Sequence, residues 1–110
     1  MDISNALNSF SALSQETRLA VFRLLVKAGT SGMAAGEIAA ALDVRQNTMS
    51  ANLAVLARSG LISSRREGRV IRYFANMEAV KQFLAFMLED CCGGNPEKCQ
   101  PVIDEISLAC

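Results

Sequence analysis

The residues with the most distinctive chemistry stand at the end of the chain. Three of the four cysteines fall within "CCGGNPEKC", as Cys91, Cys92 and Cys99, and the fourth is Cys110. Four cysteines scattered at random over 110 residues would all fall in the last twenty roughly once in a thousand times. Three thiols with no imidazole nearby suit a soft, thiophilic centre. Trivalent arsenic or antimony would use three of them. Zn²⁺, Cd²⁺ or Pb²⁺ would use the same three, and Cys110 would complete a four-sulfur set. A redox switch would join two of them. Two thiols alone would capture a methylated trivalent arsenical.

Local electrostatics weigh these chemistries. Cys91 and Cys92 follow a helical pattern at its C-terminal end, beside Glu89 and Asp90, and both features favour the protonated thiol. A reductase or other thiol enzyme wants a helix N-terminus or a basic neighbour and commonly Cys-x-x-Cys, and the Cys91–Cys92 pair has none of these. Neutral arsenous acid instead condenses with neutral thiols, releasing water and no net proton, so its capture should change little between about pH 6 and 8. Gly93, Gly94, Asn95 and Pro96 supply the turn that would bring Cys99 back to the pair.

The composition removes other options. The chain has no histidine and no phosphate-binding glycine loop, which excludes imidazole-dependent triads and zincin-type sites. Its length suits one domain. No apolar run is long enough to span a membrane, and the start lacks the pattern of a signal peptide, so a cytosolic protein is expected, with no membrane partner. Net charge is zero, but residues 45–72 carry Arg45, Arg58, Arg65, Arg66, Arg69 and Arg72 against Glu67 alone. Residues 78–110 carry six acids against Lys81 and Lys98. A basic middle on a neutral chain is expected where one face meets phosphates.

Elements that would position these groups are legible in the periodicity. Ile3, Leu7 and Phe10 give a short amphipathic helix, followed by a turn at Ser11 to Ser14. A helix over 15–28 would be capped by Ser14 and ended by Gly29, with Leu19, Val21, Phe22, Leu25 and Val26 facing the core. An alanine-rich helix over 35–42 leads to another over 46–58, whose Met49, Leu53 and Leu56 face inward. Its Gln46, Asn47, Ser50 and Ala51 face out. Gly68, flanked by Glu67 and Arg69, turns a β-hairpin, and Val80, Phe83, Leu84 and Met87 mark an apolar stripe on a helix over 78–89.

This order, α-α-α-α-β-β-α, is mainly helical with a β-hairpin wing: a winged helix-turn-helix. Gln46, Asn47, Ser50 and Ala51 would meet base edges, and Arg65, Arg66, Arg69 and Arg72 would meet phosphates or enter the minor groove of double-stranded DNA. A reader of this size works as a homodimer on an inverted repeat, with Ile3, Leu7, Phe10, Val80, Phe83, Leu84 and Met87 as the interface.

The segments "SQETRLAVFRLL", "LDVRQNTMSANLAVLARSGLI" and "REGRVIRYF" closely resemble the ArsR/SmtB family of metal- and metalloid-responsive repressors, over roughly residues 3–90. The resemblance implies a dimeric repressor, no enzyme, that leaves its operator when a toxic ion binds. Three features set this chain apart from many members. Ala51 and Asn52 stand where a histidine pair is common, residues 33–37 hold no cysteine, and the last helix has no histidine for zinc. The chain resembles the arsenic-sensing branch whose ligands lie just past the last helix, which implies As(III), or Sb(III), on Cys91, Cys92 and Cys99. Residues 1–90 would then be the DNA-binding and dimerisation domain and residues 91–110 the sensor tail. Cadmium-, lead- or zinc-responsive repression with the same cysteines is the alternative, and a thiol redox switch or reductase the more distant one.

Overall fold

Asp2 sets where regular structure begins, because its carboxylate accepts the Asn5 amide at 2.8 Å and caps the first helix. The computed structural model describes residues 1–89 and 95–109. It runs α1 (Ile3–Leu13), α2 (Glu16–Ala28), a 3-10 turn (Gly29–Ser31), β1 (Met33–Ala34), α3 (Ala35–Leu42) and α4 (Gln46–Arg58). There follow β2 (Ile62–Glu67), β3 (Val70–Ala75), α5 (Met77–Met87), a second 3-10 turn (Pro96–Lys98) and α6 (Gln100–Ala109). The expected order of four helices, wing and helix is present.

Two elements were not expected. Strand β1 pairs antiparallel with β3, placing Met33 opposite Tyr73 and extending the wing to three strands in the order β1-β3-β2. Two residues are too few for an alternating pattern to show in sequence. Helix α6 lies within the stretch read as a tail, and its Val102, Ile103 and Ile106 have the spacing of one apolar helical face. No helix of the described residues is long and apolar enough to cross a membrane.

Boundaries moved where side chains found better partners. Gln15, not Ser14, caps α2, since its Oε1 accepts the Arg18 amide at 2.9 Å. The Ser14 hydroxyl instead turns back to the Ser11 carbonyl at 2.8 Å. Gly29 ends α2 with φ 62°, as expected. Of the five residues expected inside α2, Val21 and Leu25 are fully buried, Phe22 is half-buried, and Leu19 and Val26 are exposed. At 3.6 residues per turn those two lie roughly 150° round the helix from Val21. Asn76 starts α5: its Oδ1 accepts the Ala79 amide, while its own side-chain and main-chain N–H groups donate to the Gly60 and Leu61 carbonyls.

The core lies where α2, α3 and α4 meet the root of the wing. Val21, Leu25, Ile38, Met49, Leu56 and Leu61 have almost no exposed surface. Between α3 and α4 the chain turns in three residues, the length of a helix-turn-helix. Asp43 makes this turn with φ 53°, a left-handed conformation that aspartate tolerates better than most residues.

Candidate nucleic-acid interface

Helix α4 presents its first turn because its bulk is turned the other way. Met49, Leu53 and Leu56 hold one face in the core, and Gln46, Asn47, Ser50 and Ala51 are all exposed on the other. Gln46 and Ser50 line an open groove whose far wall is the wing, with Arg69 and Tyr73 among its residues. Three of the residues expected to read DNA therefore share one depression. Short polar side chains can enter a groove of DNA there while the wing follows the backbone.

The four wing arginines do not do the same thing. Arg65 and Arg72 face each other across the β2–β3 ladder, where like charges would repel. Glu67 lies between them and takes both, with oxygens 3.0 Å from Arg65 and 2.9 Å from Arg72. Arg72 also lies 3.6 Å from Glu37 of α3 and donates to the Ser31 and Gly32 carbonyls. With its side chain only 28 % exposed, Arg72 braces the wing against α3. Arg65 additionally lies over the Phe74 ring at 5.0 Å. Arg66 donates to the Gly68 carbonyl at the tip, and Arg69 makes no hydrogen bond or ion pair among the described residues. Arg66 and Arg69 are thus the two most available to phosphates. Sequence spacing could not show this, because the pairing depends on the strand register.

The Arg72 hydrogen bond first, and that of Arg65 second, hold the Glu67 carboxyl below the usual carboxylate range. A depressed carboxylate contributes stability above its unfolded pKa, about 4.3 for glutamate, and loses it as pH falls through the lower folded value. The wing brace is therefore constant at neutral pH. Titration of Glu67 followed by NMR should give a midpoint below that of an ordinary glutamate, moving up in Arg72→Gln.

The faces of α1 and α5 complete the picture. In α1 the small residues Ala6, Ser9 and Ala12 are buried, whereas Ile3, Leu7 and Phe10 are 68 %, 61 % and 48 % exposed. Helix α5 has no fully buried residue: Val80 and Phe83 are half-buried, and Leu84 and Met87 are exposed. Phe10 and Phe83 meet edge to face at 4.9 Å, joining the two stripes into one apolar surface. The α5 stripe thus stays largely at the surface of the single chain rather than in its core.

Of the expected ligands, Cys91 and Cys92 lie outside the described residues, as does Cys110. Cys99 sits half-buried between the second 3-10 turn and α6, where its carbonyl accepts the Val102 and Ile103 amides. It borders an apolar hollow formed with Leu88, Val102, Ile103 and Ile106. It is disulfide-bonded, whereas the sequence led us to expect a reduced thiol. The bond must open before Cys99 can act as a ligand.

A three-residue turn between two helices, an exposed polar recognition helix and a charged wing beside it define a DNA-binding winged helix-turn-helix transcriptional regulator. A helix-turn-helix domain model matches residues 13–65. The transcriptional repressor SdpR of Bacillus subtilis is 33 % identical over 81 residues, covering 74 % of this chain and 87 % of that protein. The arsenical resistance operon repressor of Escherichia coli is 28 % identical over 98 residues, covering 89 % and 81 %. A homodimeric winged helix-turn-helix DNA-binding domain from Mycobacterium bovis superimposes with a TM-score of 0.66 at 28 % identity, covering 78 % of each chain. The chain belongs to the ArsR family of winged-helix transcriptional regulators and is not an enzyme.

Proposed function

We propose that the chain is a homodimeric repressor that binds operator DNA carrying an inverted repeat and releases it when trivalent arsenic, or antimony, is held by Cys91, Cys92 and Cys99. The observation that carries the reading is the groove shared by Gln46, Ser50 and Arg69 on the exposed side of α4. The unpaired apolar surface of α1 and α5 supports a dimer, as does the homodimeric relative. The inducer is supported by the donor set, three sulfurs and no imidazole, and by the likeness to an arsenical resistance repressor. Cys99 opens α6 and borders Leu88, just past α5, so drawing it toward the cysteine pair would pull on the end of the interface helix. A coupling of about 1–3 kcal/mol would lower operator affinity roughly 5- to 150-fold.

Fluorescence anisotropy of labelled DNA from upstream of the protein's own gene tests both halves. Fully reduced protein should bind, and low arsenite should release it between about pH 6 and 8 alike. Serine at position 91, 92 or 99 should abolish release, and serine at 110 should not. Binding that ignores arsenite and yields to cadmium, lead or zinc would replace the inducer. The disulfide at Cys99 favours one second reading, a thiol redox switch. Release by oxidant, reversed by dithiothreitol and indifferent to arsenite, would establish it.

A further inference from the structure

Arg18 ties α1, α2 and α4 together with a single side chain. It stands in α2, and its Nε donates to the Ala12 carbonyl at 2.6 Å. Its Nη2 donates to the Ser11 carbonyl at 3.4 Å. Both carbonyls belong to the last turn of α1, whose C=O groups have no partner within the helix and attract a cation. The remaining arm, Nη1, donates to Oδ1 of Asn52 at 3.4 Å. Asn52 lies on the core side of the recognition helix with 9 % of its surface exposed, amid Met49, Leu53 and Leu56. A buried amide on an otherwise apolar face is costly unless its polar atoms are satisfied, so it belongs there only with a partner.

We propose that Arg18 and Asn52 form the joint through which the position of the dimer helix α1 sets the pose of the recognition helix α4. The inference rests on the reading of the chain as a dimeric DNA binder and adds the positioning residues that connect its two interfaces. The planar guanidinium suits this role because its donors point in fixed, divergent directions, so one side chain holds α1 and α4 at a fixed separation. Movement of the last turn of α1, where Ser11 and Ala12 directly follow Phe10 of the interface stripe, is carried to α4 with little slack. Asn52 lies on the core side of α4, away from the exposed face of Gln46, Asn47, Ser50 and Ala51. The effect of Arg18 and Asn52 is on whether two recognition helices meet successive half-sites in register.

The test uses the full, reduced chain, the operator duplex and a scrambled duplex of equal length. Asn52→Leu removes the acceptor at similar volume. Arg18→Lys keeps a cation for the α1 carbonyls and loses the second arm. Each should lower operator affinity about tenfold, as expected from one modest hydrogen bond lost in each half-site. Affinity for scrambled DNA, which depends on phosphate contacts alone, should stay unchanged. The double variant Arg18→Lys, Asn52→Asp restores a charged pair across the same gap and should recover most of the loss. Parallel loss on both duplexes, no loss at all, or a double variant no better than the singles would overturn the joint. If Asn52→Leu does not fold, Arg18→Lys and the double variant decide the matter. Failure of the unaltered chain to prefer its operator would overturn the DNA reading itself, and that result is seen before any variant is made.

Discussion

Replacing Gly32 by alanine should destabilise the fold by about 3–5 kcal/mol, the sum of a backbone penalty and a steric one. Gly32 has φ 60° and ψ −170°, a region that residues with a Cβ essentially do not occupy. A Cβ there would lie 2.5 Å from the Tyr73 carbonyl and 2.6 Å from the Phe74 ring. Neither neighbour can yield cheaply. The Tyr73 backbone is in the β1–β3 ladder opposite Met33, and Phe74 carries Arg65 on its face. Pushing β1 off the wing would also break the Arg72 contacts to the Ser31 and Gly32 carbonyls. Urea unfolding at fixed protein concentration measures the effect, since any self-association makes stability depend on concentration. Gly36→Ala is the control: its new Cβ meets nothing within 4 Å, and alanine in the first turn of α3 should be neutral or stabilise by up to about 1 kcal/mol. Equal midpoints for the two variants would show that the close approach at Gly32 is wrong.

If the chain is the proposed dimer, Leu7→Glu combined with Met87→Glu should convert it to a folded monomer and lower operator affinity by about 100-fold or more. Both side chains are exposed on the single chain, at 61 % and 45 %, so a carboxylate there meets water and leaves the core alone. In a dimer built on this surface the same carboxylates would be buried without partners, which is strongly unfavourable. The loss on DNA follows from multivalency: one recognition helix binds a half-site alone and no longer holds the second half-site at high effective concentration. Sedimentation velocity and operator titration give the two readings. A cooperative urea transition of the monomeric variant that no longer depends on protein concentration would confirm that packing was spared. A variant that remains dimeric and binds the operator as before would show that the copies meet elsewhere, and the exposed Leu19 and Val26 of α2 would be the next surface to alter.

How much of this was legible in the residues can be followed element by element. The recognition helix was read correctly to its ends, because Met49, Leu53 and Leu56 repeat at the helical period and Arg58 is followed closely by Gly60. The wing was legible from Gly68 between two β-favouring runs, and Gly68 indeed has φ 65°. The stripes of α1 and α5 were also legible, but not their fate, since periodicity marks an apolar face without saying what covers it. Asn52 could have been noticed as the polar member of an apolar face. Its partner could not, because Arg18 lies thirty-four positions earlier in the chain.

The sequence by itself determined the order of four helices, wing and helix, the outward polar turn of α4, the basic wing and the grouping of thiols at Cys91, Cys92 and Cys99. Each of these is a matter of local period, turn chemistry or residue type, and local interactions suffice to specify it. Only the tertiary structure decided which arginines of the wing remain for DNA, that Gln46, Ser50 and Arg69 share a groove, and that Arg18 joins α1 to α4. Those outcomes depend on strand register and on helices brought together from distant parts of the chain. A shift of one residue in the β2–β3 pairing would have moved Arg65 away from Arg72 and left Glu67 on another face.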